Sequence, residues 1–245
     1  MTAPPAALTR AAPRQLIFDL PVRTSRDRGD FFVSPANAMA VAMIDGWAGG
    51  WPGGKLLLCG PPGAGKTHLA HVWAAQSGAR ILAAADLAGA DVAALTDRPL
   101  AIEDLDRIAG DTRAEAAAFH LHNLILAEGQ ALLITGQGAP QHWRLGLPDL
   151  QSRLQGTTQT EIGAPDDHLL GAVLMKLFAD RQLVPTADTL PFILRRMTRS
   201  FDAACALVAA MDARALEEGR AVNRALARDV LAGSTGHHDI VTDPR

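Results

Sequence analysis

Gly60-Pro61-Pro62-Gly63-Ala64-Gly65-Lys66-Thr67 is the stretch that decides what kind of chain this is. The pattern G-x-x-x-x-G-K-[ST] sets glycines where the backbone curls tightly and turns its N–H groups toward phosphate oxygens. Its lysine, Lys66, has the reach for β- and γ-phosphates, and the Thr67 hydroxyl can ligate Mg²⁺. The apolar run Lys55-Leu56-Leu57-Leu58-Cys59 before it reads as a buried strand. Residues 67–76 after it read as a helix whose N-terminus receives an anion. Strand, glycine loop and helix in that order imply a site for a nucleoside triphosphate or diphosphate.

Working outward, apolar residues at helical spacing predict a helix over residues 35–47, with Ser34 as N-cap and Pro35 in the first helical position. Further strands are predicted at 80–84, 99–102, 131–135 and 157–162. Thr112-Arg113-Ala114-Glu115 has the form of a capping box opening a helix that runs to about residue 128. Strands alternating with helices imply an α/β fold, a parallel sheet flanked by helices. Beyond Pro165 the strand candidates cease, and 166–182, 188–198, 201–218 and 223–231 all read as helices. The expected organisation is a flexible lead over residues 1–21, an α/β nucleotide-binding core over 22–163, an all-helical lid over 164–232 and a frayed tail over 233–245.

Composition narrows the classes of partner. A net charge of −3 over 245 residues provides no basic field for nonspecific nucleic-acid binding, and only three lysines occur, Lys55, Lys66 and Lys176. Cys59 and Cys205 sit far apart in apolar surroundings, which suggests buried thiols and no disulfide framework. No apolar run reaches the roughly 18 residues of a membrane span, and the N-terminus shows no signal-peptide core. A cytoplasmic protein without a membrane partner is expected.

A phosphate loop alone does not make a hydrolase; a second acidic site is needed at a neighbouring strand end. Leu100-Ala101-Ile102-Glu103-Asp104 supplies it. In the usual arrangement the first acid, here Glu103, helps hold Mg²⁺, and the second, here Asp104, polarises the attacking water. The order Glu-Asp displaces each carboxylate by about one methylene, and a misplacement of about 1 Å can cost on the order of 10²-fold in rate. Intact nucleotide binding with weak intrinsic hydrolysis is expected. Thr135 or Gln137, after the fourth strand, stands where such folds put a polar γ-phosphate sensor. Arg153 precedes the last strand, where oligomeric ATPases carry an arginine that enters a neighbour's site; by spacing alone it is equally an ordinary surface arginine.

With Asp30-Phe31-Phe32-Val33, Asn37, the Gly60–Leu69 stretch, the acidic pair, Ser152-Arg153 and the closing segment 221–231 in this order, the chain resembles the AAA+ core of the bacterial replication initiator DnaA. More closely it resembles the Hda-type DnaA-related regulators that inactivate DnaA, over about residues 15–231. Gln15-Leu16-Ile17-Phe18-Asp19-Leu20, flanked by Pro13 and Pro21, is similar to the hexapeptide by which many proteins dock on the bacterial sliding clamp, the β subunit of DNA polymerase III. The prolines favour an extended form, Gln15 offers an amide, and Leu16, Phe18 and Leu20 can fill an apolar groove. DnaA follows its lid with a DNA-binding domain for which this chain leaves no room, so contact with DNA is expected only through the clamp.

The resemblance implies ATP or ADP, with Mg²⁺, held by Gly60, Pro61, Pro62, Gly63, Ala64, Gly65, Lys66, Thr67 and His68, with Thr67 and Glu103 at the metal. It implies that the chain, docked on the clamp through Gln15, Leu16, Phe18 and Leu20, completes the catalytic site of ATP-bound DnaA with Arg153. Hydrolysis then leaves DnaA in its ADP form and limits re-initiation. A homo-oligomer is compatible with this scheme. One departure stands out: relatives carry a sensor arginine near the start of the third lid helix, where this chain has Asp202, and Arg199, Arg196 or Arg195 would have to substitute. A DnaC-like helicase loader and a nucleotide-stabilised clamp adaptor are the competing readings. His68 and His71 lack metal-ligating partners in sequence, and no nucleophile elbow occurs.

Overall fold

The computed structural model describes residues 32–235. Five strands, β1 (Lys55–Cys59), β2 (Arg80–Ala83), β3 (Leu100–Glu103), β4 (Leu132–Gly136) and β5 (Gln159–Glu161), form one parallel sheet in the order β2-β3-β4-β1-β5. β1 is an interior strand between β4 and β5, with Leu56 opposite Leu133 of β4 and Leu58 opposite Thr160 of β5. Leu56, Leu57 and Leu58 are all fully buried. A parallel strand covered on both faces has no polar side, which is why its sequence is an unbroken apolar run.

Side chains alternate across each strand, so the sheet carries two cores. On one face Leu57, Leu100, Ile102, Leu132 and Ile134 pack with Ala118, Leu121 and Ile125 of α3 (Thr112–Ala127) and with Leu150 and Leu154 of α4 (Pro148–Gln155). On the other, Leu56, Leu58, Ala101 and Leu133 meet Val41 and Ile44 of α1 (Ala38–Asp45) and Leu69, Ala70 and Trp73 of α2 (Lys66–Ser77). Trp73 is completely enclosed, its ring 5.2 Å from that of Trp51 and 6.2 Å, edge-on, from that of Trp47. Burying such side chains contributes about 1.5–3 kcal/mol each before entropy is counted.

Two helix starts differ from expectation. Regular helix α1 begins at Ala38; residues 34–37 before it form a turn in which the Ala36 N–H donates to Ser34 Oγ (3.3 Å) and the Ser34 N–H to Asn37 Oδ1 (2.8 Å). Trp47–Gly49 is a separate 3-10 turn. At α3 the capping residue is Asp111, whose carboxylate accepts from the N–H groups of Arg113 and Ala114 at 3.0 Å each; Thr112 is already helical. Glu115 therefore has no box to complete. It is buried, and its carboxylate accepts from the N–H groups of Gly110 (2.8 Å), Gly146 (3.0 Å) and Leu147 (2.7 Å). One side chain thus ties the entrance of α3 to the entrance of α4.

The chain after β5 is helical, as expected: α5 (Asp167–Asp180), α6 (Thr189–Leu194), α7 (Phe201–Glu218) and α8 (Arg224–Thr235). Asp166 caps α5 through the Leu169 N–H (2.7 Å) and Ser200 caps α7 through the Ala203 N–H (3.1 Å). These helices enclose their own core of Leu170, Leu174, Phe178, Phe192, Ile193, Val208, Met211 and Leu226. Both cysteines are free thiols, Cys59 buried and Cys205 half-buried, and burial raises the pKa of each, to about 11 for Cys59. Among the described residues no helix is long and apolar enough to cross a membrane.

Removing the Glu115 carboxylate leaves the half-buried N–H groups of Gly110, Gly146 and Leu147 without their acceptor. Glu115→Ala should lower stability by about 3 kcal/mol in urea denaturation, and Glu115→Gln, which keeps one acceptor oxygen, by about half as much.

Candidate nucleotide site

The loop from Gly60 to Gly65 leaves the C-terminal end of β1 and enters α2. At Gly60 a side chain is excluded by crowding: a Cβ there would lie 2.5 Å from the Ile162 carbonyl oxygen just beyond β5. Gly63 (φ +67°) and Gly65 (φ +101°) take left-handed backbone that other residues adopt only with strain. Ala64 is buried beneath the loop, and the Ala64 N–H donates to the Pro61 carbonyl (3.3 Å). Lys66 is buried too, its ammonium donating to the carbonyls of Gly60 (2.9 Å) and Pro61 (3.1 Å). Among the described residues no side chain caps the first turn of α2, so its amides remain available to an anion.

The helical region sits directly on this loop. The Phe201 N–H donates to the Gly63 carbonyl at 2.8 Å, and a Cβ on Gly63 would lie 2.4 Å from Ser200 Cβ and 3.3 Å from an Asp202 carboxylate oxygen. Core and lid enclose a cleft of about 450 Å³. Pro62, Gly63, Gly65, Lys66, Thr67 and His68 line its loop side; Phe32, Leu169, Val173, Leu177 and Phe201 form an apolar part. Such a cleft, apolar at one side with glycine amides and a lysine at the other, has the size and chemistry of a nucleotide site.

The acidic pair is divided. Asp104 lines the cleft with Thr67, whereas Glu103 ends β3, half-buried, opposite Ala83. Asp104 itself has left-handed backbone (φ +56°, ψ +48°), a conformation costing about 1–3 kcal/mol that persists only where its surroundings impose it. Its N–H donates to Thr135 Oγ1 (3.0 Å), and its carboxylate faces Arg107 at 3.6 Å. Thr135 is wholly buried and serves to hold this backbone. Gln137, whose N–H donates to Asp106 Oδ1 (3.0 Å), is the one of the two sensor candidates that lines the cleft. Among the described residues no cluster of three His, Cys, Asp or Glu could hold a metal unaided. Thr67 and Asp104 offer hard oxygen donors, a set that suits Mg²⁺ completed by phosphate oxygens.

The lid residues fall differently from expectation. Arg199 pairs with Asp167 (2.9 Å) and is exposed, and the Arg196 guanidinium lies over the Phe192 ring at 4.2 Å. Neither lines the cleft, nor does Arg195. Asp202 does, and the lid's cation there is Lys176 of α5, with Asp180 one turn away at 3.5 Å. Lys176 and Arg107 carry no local sequence signature and emerge only from packing.

Arg153 is exposed in the last turn of α4, where a cation complements the helix dipole. Its field reaches Lys55, at the start of β1, and His122 of α3, whose ammonium and Nε2 lie 3.1 Å apart. Burial first, then Lys55, pushes the His122 pKa down from 6.5 to about 4, so its imidazole is neutral and accepts from Lys55. Gln15, Leu16, Phe18 and Leu20 lie outside the described residues.

No protein-family model matches the chain. Its fold is that of AAA+ proteins. Domain III of the replication initiation protein DnaA of Thermotoga maritima superposes with a TM-score of 0.75 at 19% identity, covering 87% of this chain and 98% of that one. DnaA of Aquifex aeolicus bound to AMPPCP gives 0.62 at 20% identity, covering 76% of this chain and 65% of that one. RuvB T158V of Thermotoga maritima gives 0.64 at 18% identity, covering 82% and 70%. The chain therefore spans about two-thirds of the AMPPCP-bound DnaA chain, and at these identities the likeness establishes the fold.

Lys66→Ala should weaken adenine-nucleotide binding by calorimetry at least about 100-fold, the scale of a lost charge-assisted phosphate contact in a water-poor cleft. His122 predicts an acid limb of stability. Its pKa is lowered on folding, so the unfolded chain binds the extra proton, and the contribution present above pH 6.5 is lost as pH falls toward about 4. The melting temperature should fall more steeply over that window in the parent protein than in His122→Gln.

Proposed function

We propose that this chain is a nucleotide-binding regulator of replication initiation, which docks on the sliding clamp through Gln15, Leu16, Phe18 and Leu20 and presents Arg153 to the ATP site of DnaA. The observation that carries this reading is the separation of two basic sites. Lys66 belongs to the cleft at the C-terminal end of β1, while Arg153 stands exposed near Lys55 at its N-terminal end. Five residues of strand put those ends about 13 Å apart. Arg153 is therefore poorly placed to serve its own cleft and well placed to serve a neighbour's.

The chain's own cleft then acts as a conformational element. A bound Mg–adenine nucleotide would supply a polyanion, which the loop amides, Lys66 and the lid cation Lys176 complement. Thr67 and Asp104 would hold the cation. The Phe201–Gly63 hydrogen bond makes the seating of the loop and the position of α7 one property, so occupancy of the cleft is felt by the lid. Intrinsic turnover is slow in this reading, because the acid lining the cleft, Asp104, is the shorter of the pair and its backbone is fixed by Thr135.

At the partner, the Arg153 guanidinium adds positive charge as the transition state of ATP hydrolysis forms, a contribution of about 10³–10⁵ in rate where such fingers operate.

A DnaA–ATP hydrolysis assay with and without DNA-loaded clamp tests the reading. The parent protein should accelerate hydrolysis only with clamp, and Arg153→Ala should lose at least about 100-fold of that stimulation while binding clamp normally. Leu16→Ala with Phe18→Ala should abolish co-migration with the clamp and leave nucleotide affinity unchanged. Undiminished stimulation by Arg153→Ala would refute the finger role, and stimulation of a helicase instead would favour the loader.

A further inference from the structure

The cluster around Arg153 contains more than an arginine. Lys55 begins β1, His122 projects from α3 and Arg153 from α4, so three separate elements bring two cations and an imidazole together at one end of the sheet. Among the described residues no carboxylate pairs with Lys55 or Arg153. Like charges so placed raise one another's energy, and the C-terminal dipole of α4 offsets only the charge on Arg153. Most other arginines among the described residues, such as Arg80, Arg98, Arg107, Arg199 and Arg220, have an acid within 4 Å. Lys55 instead donates to the neutral Nε2 of His122, whose Nδ1 lies 3.4 Å from Asn123 Oδ1. An imidazole of this tautomer orients an ammonium without neutralising it. The arrangement holds two positive charges within electrostatic reach of each other, one of them exposed at the surface, with no carboxylate among the described residues paired to either.

We propose that Lys55 is a second cation acting in trans: with Arg153 it receives the polyphosphate of a nucleotide bound by a neighbouring P-loop subunit, and His122 holds its ammonium in position for that contact. This rests on the reading of Arg153 given above. The depressed pKa of Lys55, caused first by burial and then by Arg153, agrees with a charge held at cost until a polyanion arrives. The anion sought is a triphosphate rather than a carboxylate, because two cations in one patch can share a chain of phosphate oxygens, whereas a single carboxylate would satisfy one of them.

The test uses the full chain with clamp and DnaA–ATP in single-turnover hydrolysis, comparing the parent, Lys55→Met, Lys55→Gln, Lys55→Arg and Arg153→Ala. Affinity for the chain's own nucleotide, expected within about two-fold of the parent, checks that each variant is folded. Lys55→Met and Lys55→Gln should lower the maximal stimulated rate about ten-fold or more without moving the half-saturating concentration of the chain, and Lys55→Arg should restore most of it. Full stimulation by both neutral variants, with Arg153→Ala inactive, overturns the role of Lys55 and leaves that of Arg153 standing. A changed half-saturating concentration at an unchanged maximal rate also overturns it, making Lys55 a docking contact only. Undiminished stimulation by Arg153→Ala removes both.

Discussion

The Gly63 carbonyl accepting the Phe201 N–H, at a point where no Cβ has room, is the contact on which the rest of the molecule turns. It joins the loop that would hold phosphate to the first turn of the lid's longest helix. Loop and helix start fit only if the loop has its left-handed curl at Gly63 and Ser200 has its extended capping geometry. Interiors are too densely packed for such a junction to deform gradually, so a change on one side is carried to the other. Under the proposed function, this junction would let the phosphate loop set the position of the lid.

A second constraint is the distribution of charge. Cations and acids alternate around the cleft, with Lys66, Arg107 and Lys176 set against Asp104, Asp180 and Asp202. The patch at Lys55, His122 and Arg153 has no acid of its own among the described residues. In a protein of net charge −3 neither feature is a bulk effect. The mixed cleft suits a ligand carrying both anionic phosphate and a divalent cation, and the unbalanced patch suits an anion alone. Glu115 anchors the loop that launches α4, and Arg153 lies in the last turn of that helix.

The strands were legible to within a residue or two because a doubly covered parallel sheet demands continuous apolar runs, and KLLLC, LAIE and LLITG have them. The phosphate loop was legible because its backbone needs glycine at set spacings. Helix starts were less so: Thr112 and Glu115 have the spacing of a capping box, yet Asp111 took the cap, since spacing does not say which of two adjacent polar residues is the first outside the helix. Arg199 was a reasonable substitute for a sensor arginine by position, but Asp167 of α5 captures it, a partner 32 positions earlier in the chain that no local pattern reveals.

What the sequence determined by itself was everything governed by local chemistry: the period of the strands and helices, the glycine curl, the lysine and threonine beside it, and an acidic pair at a strand end. Tertiary structure alone decided which acid of that pair borders the cleft, that Lys176 is the lid's cation there, and that Lys55 and His122 gather near Arg153. The reason is physical. Backbone conformation is set over a few residues by sterics and hydrogen bonding, whereas the field at a site is summed over groups from distant elements, and their meeting is fixed only when the cores on both faces of the sheet close.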